Sequence, residues 1–182
     1  MSKAIGMVEY QSVPSGIQAA DTLIKTAEVE VMLAQVVCPG KYIVLISGEL
    51  SAVKAAIEAS KIQCGEKLVD SFVLGNPHES IFPAIYGAAE VGNPSALGVL
   101  ETFSAASIIV AADIAAKTSQ VDLIELRLAR GMSGKGYLLL TGEVAAVDAA
   151  IDAAKKEVGA GGNYLDSTVI PNPDKKLWQN IL

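Results

Sequence analysis

Cysteine and histidine, the usual carriers of metal and nucleophile chemistry, are scarce here: 182 residues hold two cysteines and one histidine. Cys38 stands in QVVCPGKY, residues 35–42, directly before Pro39-Gly40-Lys41. A thiolate in a turn can ligate a soft metal, but a metal site needs three or four ligands and the neighbourhood supplies no others. Cys64, in SKIQCG, closes a helical stretch before Gly65, which is placed to cap it. A helix C-terminus disfavours a thiolate, so Cys64 reads as structural. His78 follows Asn76-Pro77, opens a short helical stretch and has no acid or nucleophile beside it. It reads as a structural or surface residue. The chain contains no Walker loop, nucleophile elbow, His-Glu-x-x-His or Cys-x-x-Cys. GMSGKG at 131–136 has the residues of a phosphate loop, but it joins two strand-like runs, so no helix N-terminus is available to an anion. No acid–base or nucleophile constellation is visible, and the chain is not read as an enzyme.

The elements around Cys38 are built from small apolar residues. Hydrophobic residues make up 51% and aromatics only 5%, which predicts a real core of closely packed Ala and Val. The net charge of -6 and the lack of any basic run exclude nucleic acid as an expected partner. No stretch approaches ~20 uninterrupted apolar residues, so no membrane span is expected. Glu9 stands too early for a signal-peptide apolar region. Two cysteines in different settings make no disulfide framework, which suits a reducing cytosol.

The chain is written twice. AIGMVE at 4–9 recurs as ALGVLE at 96–101, and Ala19-Ala20-Asp21 with Lys25 recurs as Ala111-Ala112-Asp113 with Lys117, all at an offset of 92. Gly48-Glu49 and VKAAI at 53–57 recur as Gly142-Glu143 and VDAAI at 147–151, at an offset of 94. Asp70-Ser71 and Asn76-Pro77 recur as Asp166-Ser167 and Asn172-Pro173, at an offset of 96. Two residues are therefore added between the second and third strands of the second copy, and two more before its last strand. This predicts two homologous domains, 1–87 and 95–182, with residues 88–94 as a linker punctuated by Gly92 and Pro94.

Each copy predicts the same order. Residues 3–10 read as a strand, and Pro14 can open the next helix at its first turn. Ile17, Ala20, Ile24 and Ala27 share one helical face, expected to be buried. Residues 29–38 and 41–48 read as strands joined by the Cys-Pro-Gly turn. Ser51 can cap a second helix that buries Val53, Ala56, Ile57 and Ser60. A strand at 68–75 and a short helix at 78–85 complete the copy, and IELRL at 124–128 shows the strand alternation again. The expected fold is α/β of the α+β sandwich type. It has two tandem βαββαβ domains, each a four-stranded antiparallel sheet flanked by helices.

These words in this order resemble the bacterial microcompartment (BMC) shell protein family. The matching features are AIGMVE in the first strand, Ala-Ala-Asp followed by Lys, a PGK or GKG turn, Gly-Glu before the second helix and a closing Asn-Pro, each present twice. The tandem arrangement resembles the trimer-forming branch of the family with unpermuted topology. It is similar in particular to the iron–sulfur type of propanediol-utilising compartments, which carries Cys-Pro-Gly-Lys at the same place and a Trp near the C-terminus, here Trp178.

The resemblance implies a homotrimer of six domains, forming a flat hexagonal tile in a microcompartment shell of the bacterial cytoplasm. It implies a central pore lined by Cys38, Pro39, Gly40 and Lys41 of the first copy and by Met132, Ser133, Gly134 and Lys135 of the second. It places Lys25 and Lys117 at tile edges, against other BMC shell proteins, where each also reads as a solvated helix residue. A threefold axis turns one Cys38 into three thiolates, which can hold three irons of a [4Fe–4S] cluster, one per trimer. Three thiolates and a water can also hold zinc. The resemblance favours the oxygen-sensitive iron–sulfur cluster, serving electron transfer across the shell, with a redox enzyme inside as a partner. Two alternatives stand beside it. One is the same trimer with a plain metabolite pore and an inert Cys38. The other is an ACT-like small-molecule regulatory pair, since βαββαβ also suits ligand-sensing modules.

Overall fold

The computed structural model describes residues 4–92 and 94–182. Lys3, at the head of the expected first strand, and Asn93, in the expected linker, lie outside the described residues. The first copy runs β1 (Ala4–Tyr10), α1 (Val13–Thr26), β2 (Val29–Val37), β3 (Lys41–Gly48), α2 (Leu50–Cys64), β4 (Leu68–Leu74) and α3 (Ile81–Tyr86). The second copy runs β5 (Ala96–Thr102), α4 (Ala105–Thr118), β6 (Val121–Leu128), β7 (Gly136–Gly142), α5 (Val144–Ala160), β8 (Tyr164–Ile170) and α6 (Lys175–Ile181). The order is βαββαβα twice, as the repeated words require.

The strands form two four-stranded antiparallel sheets, ordered β2-β3-β1-β4 and β6-β7-β5-β8. The opening strand of each copy is central. Every residue of β1 is buried, which is why AIGMVEY is apolar throughout except for Glu9. The registers repeat: Ala4 faces Gly48 in β1/β3, and Ala96 faces Gly142 in β5/β7. Each second strand shifts register at the same place, between Val31 and Leu33 in β2 and between Leu123 and Glu125 in β6.

The chain packs as two compact units. The first is the chain up to Pro77 together with Ser104–Ser107, the start of α4, and Ala129–Gly134, the turn after β6. Here α1 and α2 pack on each other and on the sheet, around a core that includes Val8, Tyr10, Leu23, Val44, Ile46, Val53 and Ile57. The second unit takes His78–Phe103, Ile108–Leu128 and Lys135–Leu182. In it α5 covers β5 and β8, and α3 lies against β6.

Helix α1 turns a different face inward from the expected one. Gly16, Ala19 and Leu23 are buried, with Ala20 and Ala27 packed partly against the core, whereas Ile17 and Ile24 are exposed. The reason is close approach. A Cβ on Gly16 would press on Tyr42 Cβ and lie 2.5 Å from its Cγ, so the helix needs its smallest residue where it crosses β3. The second copy solves the same crossing in reverse, because Ile108 stands at the position of Gly16 and Gly136 at that of Tyr42. A Cβ on Gly136 would lie 2.7 Å from Ile108 Cγ2. Gly16→Ala is therefore expected to destabilise the fold by about 2 kcal/mol through overpacking, read as a lowered thermal midpoint. An unchanged midpoint would mean that Tyr42 yields freely.

Helix α2 buries Val53, Ala56, Ile57 and Ser60 as expected, and Cys64 with them. Its N-cap is Glu49, without a side-chain capping bond, so Ser51 lies inside the first turn and does not cap. Gly65 stays right-handed at φ -57° and opens a 3₁₀ turn, Gly65–Lys67, instead of ending the helix in a left-handed cap.

Candidate functional site

Cys38 follows the end of β2, and Pro39 and Gly40 carry the chain to Lys41, the first residue of β3. The Cys38–Pro39 peptide is cis, and Gly40 takes φ 104°, a conformation that favours glycine. The Gly40 N–H donates to the Val37 carbonyl at 2.9 Å and closes the turn. Cys38 is half-buried, while Pro39 and Gly40 are exposed.

Lys41 ties this turn down. Its Nζ lies 2.7 Å from Glu9 Oε1, and Glu9 is fully buried in the middle of the sheet. Burial raises the pKa of Glu9, while the hydrogen bond and charge of Lys41 and the Ala105 and Ala106 amides pull it down without cancelling the rise. The other carboxylate oxygen, Oε2, accepts from Ala105 N–H at 2.8 Å and Ala106 N–H at 3.4 Å, the first amides of α4. A buried carboxylate at a helix N-terminus meets unpaired amides and the positive end of the helix dipole.

The longer turn of the second copy meets the same group. Gly131 (φ 69°), Ser133 (φ 52°) and Gly134 (φ 88°) take left-handed conformations in it, and Met132 is half-buried. Lys41 Nζ donates to the Gly134 carbonyl at 3.4 Å, and Arg130 donates to Gln35 on β2. Cys38, Lys41 and Gly134 are thus brought together, whereas Lys135 is held in the other unit by Glu101 at 2.5 Å. Beside Glu9 on the neighbouring strand is Asp70. Its Oδ2 accepts from Ser104 Oγ and, at 2.6 Å, from Ser107 Oγ, and its Oδ1 accepts from Ser71 N–H at 2.8 Å.

The motif Ala-Ala-Asp…Lys has a local cause in both copies. Lys25 pairs with Asp21, and Lys117 with Asp113, each at 2.7 Å and four residues apart on one helix. His78 lies before α3, its ring 2.7 Å from Ser80 Oγ and its backbone N–H donating to Asp113 at 2.8 Å. Cys64 is buried in the core.

Sequence reading missed Glu9, Asp70, Ser104 and Ser107 as site residues. The signal was an acidic residue inside an otherwise apolar strand, repeated as Glu101, and the recurrence of Asp70-Ser71 as Asp166-Ser167. Among the described residues, no three His, Cys, Asp or Glu side chains of one chain could hold a metal ion. Cys38 offers one soft thiol donor at this turn, so a thiolate site here fits an iron–sulfur cluster or zinc only when three copies each bring one. No helix among the described residues is long and apolar enough to cross a membrane.

Comparison with known proteins agrees with the doubled architecture. The BMC domain is matched twice, at residues 4–77 and 96–173. The bacterial microcompartment shell protein PduT of Citrobacter freundii is 38% identical over 182 residues, covering 100% of this chain and 99% of that one. The carboxysome shell protein CsoS1 of Prochlorococcus marinus is 36% identical over 101 residues, 54% of this chain and 92% of its own length. The crystal structure of a microcompartment protein from Desulfitobacterium hafniense superposes with a TM-score of 0.87 at 44% identity, covering 98% of this chain and 99% of that one. A fused permuted hexameric shell protein of the RMM microcompartment, MSM0275, gives a TM-score of 0.68 at 25% identity, over 87% and 84% of the two chains. The two-fold repeat, the two matching sheets and these relatives together place the chain in the BMC-domain family, as a tandem-domain shell protein of a bacterial microcompartment.

Proposed function

We propose that three chains close head to tail into a pseudohexameric tile of a cytoplasmic microcompartment shell. The turns after β2 and β6 would line its central pore. One observation carries the ring. Ile17, Val31 and Val36 of the first copy are 54%, 39% and 54% exposed, whereas their counterparts Ile109, Leu123 and Leu128 are 0%, 2% and 6% exposed. A face buried in one copy and open in the other is what a chain presents when its first copy receives the second copy of a neighbour. Heterologous contacts of this kind make closed rings when the rotation closes, and six related domains require three chains. Apolar patches of this kind mark interfaces on a soluble surface.

At the pore, the thiol of Cys38 from each chain would hold one iron of a [4Fe–4S] cluster. When bound, such a cluster supplies one-electron transfer, here across the shell. The chain's own part is to set the thiol in a turn fixed by Gly40 and by the Lys41–Glu9 pair, half-buried and close to the second turn. Lys25 and Lys117, on the last turns of α1 and α4, would face other shell proteins at tile edges, and a redox enzyme inside the compartment would exchange the electron. Family membership leaves the ligand-sensing alternative without support. The plain metabolite pore remains the rival.

The test is the native mass and the iron and acid-labile sulfide content of protein purified without oxygen. A trimer with about four irons and four sulfides bears out the whole reading. A colourless trimer favours the metabolite pore, and a monomer at all concentrations overturns the tile.

A further inference from the structure

The first sheet carries two carboxylates side by side, Glu9 on β1 opposite Asp70 on β4, and the second sheet repeats them as Glu101 on β5 opposite Asp166 on β8. Their surroundings differ. Glu9 and Asp70 meet the start of α4, through the Ala105 and Ala106 amides and the Ser104 and Ser107 hydroxyls. Glu101 keeps the matching lysine, Lys135, but this pair is 25% and 37% exposed against 0% and 18% for Glu9 and Lys41. Asp166 is exposed. Like charges on adjacent strands repel, so the second pair sits in its site without the helix that relieves the first.

The matching helix start exists at the other end of the chain. At the offset of 92, Ser104, Ala105 and Ser107 correspond to Ser12, Val13 and Ser15, where α1 begins. Ser12 Oγ donates to Ser15 Oγ at 3.0 Å and makes no capping bond to α1. Asp166 repeats the local contact of Asp70, because each takes the N–H of the following serine on Oδ1 at 2.8 Å. Pro14 replaces Ala106, so one of the two amide donors is absent and the serine pair carries more of the contact.

We propose that Asp166 of each chain accepts hydrogen bonds from Ser12 and Ser15 of the next copy, with Glu101 accepting the Val13 N–H beside them. This polar lock makes the contact head to tail. Joining two like ends would leave both carboxylates facing carboxylates, or both serine-capped starts facing each other, without partners. The occupant of the acidic pair is thus the N-terminal helix of a second copy of this chain. The inference rests on the ring proposed above and names the residues that set its direction.

The test is dissociation on dilution, followed by sedimentation or light scattering. It compares the full-length protein with Asp166→Ala, the double variant Ser12→Ala/Ser15→Ala, and all three changes together. Asp166 is exposed on its strand, so thermal unfolding should show each variant folded. The expected result is that half-dissociation of Asp166→Ala and of the serine variant each moves to about tenfold higher concentration or more, and that the triple variant is no weaker than either. Trimers that dissociate at the wild-type concentration, or effects that multiply fully in the triple variant, overturn this contact while the ring stands. A wild-type protein that is monomeric at every concentration overturns the ring and the lock together.

Discussion

Cys38→Ser is expected to remove all iron and sulfide from the anaerobically purified protein while the trimer persists. The substitution keeps the side-chain volume nearly unchanged, and Cys38 is half-buried in a three-residue turn, so the fold should lose little. The chemistry changes completely. A serine hydroxyl is a harder and far less acidic donor than a thiol, and iron–sulfur clusters are held by thiolates. No second cysteine can substitute, because Cys64 is buried at the end of α2 and the second turn carries Met132 and Ser133 instead. The loss should therefore be from about four irons per trimer to none. Iron retained in Cys38→Ser would place the cluster away from this turn. Iron absent from both proteins, with the trimer intact, would return Cys38 to an ordinary strand-end residue and leave a metabolite pore.

Lys41→Met is expected to cost about 3–5 kcal/mol of stability, because it strands a fully buried carboxylate without its cation. That corresponds to a thermal midpoint lowered on the order of 10 °C for a chain of this size. The double variant Glu9→Gln/Lys41→Met should recover most of the loss, since a glutamine oxygen can still accept from the Ala105 and Ala106 amides and no unpaired charge remains. The pH dependence has a definite sign. Glu9 titrates above its ordinary 4.5 in the folded protein, so the native state holds this proton more firmly than the unfolded chain does. Its contribution is fully present below the ordinary value and is lost as pH rises through the raised one. Removing Lys41 takes away the largest lowering influence and pushes the Glu9 carboxyl higher still. The deficit of Lys41→Met should therefore be smaller at pH 5 than at pH 8. An equal deficit at both would mean that Glu9 is not the group responsible.

By itself the sequence determined whatever depends on neighbours along the chain. The doubled words gave the doubled topology, down to the four residues added in the second copy. Apolar runs joined by the Cys-Pro-Gly turn placed β2 and β3 within a residue of their limits, and the alternation of IELRL marked the last five residues of β6. Asp21 and Lys25 could be read as partners because four residues on a helix bring side chains together. The tertiary structure alone decided what depends on residues far away. Ile17 and Ile24 look like the buried stripe of α1 until Tyr42 forces Gly16 against β3 and turns the isoleucines outward. Glu9 looks like an accident in an apolar strand until Lys41 and the start of α4, nearly a hundred residues on, enclose it. Local periodicity fixes which residues can share a face, but burial is a property of what comes to cover that face, and for the first copy the cover is proposed to be another chain.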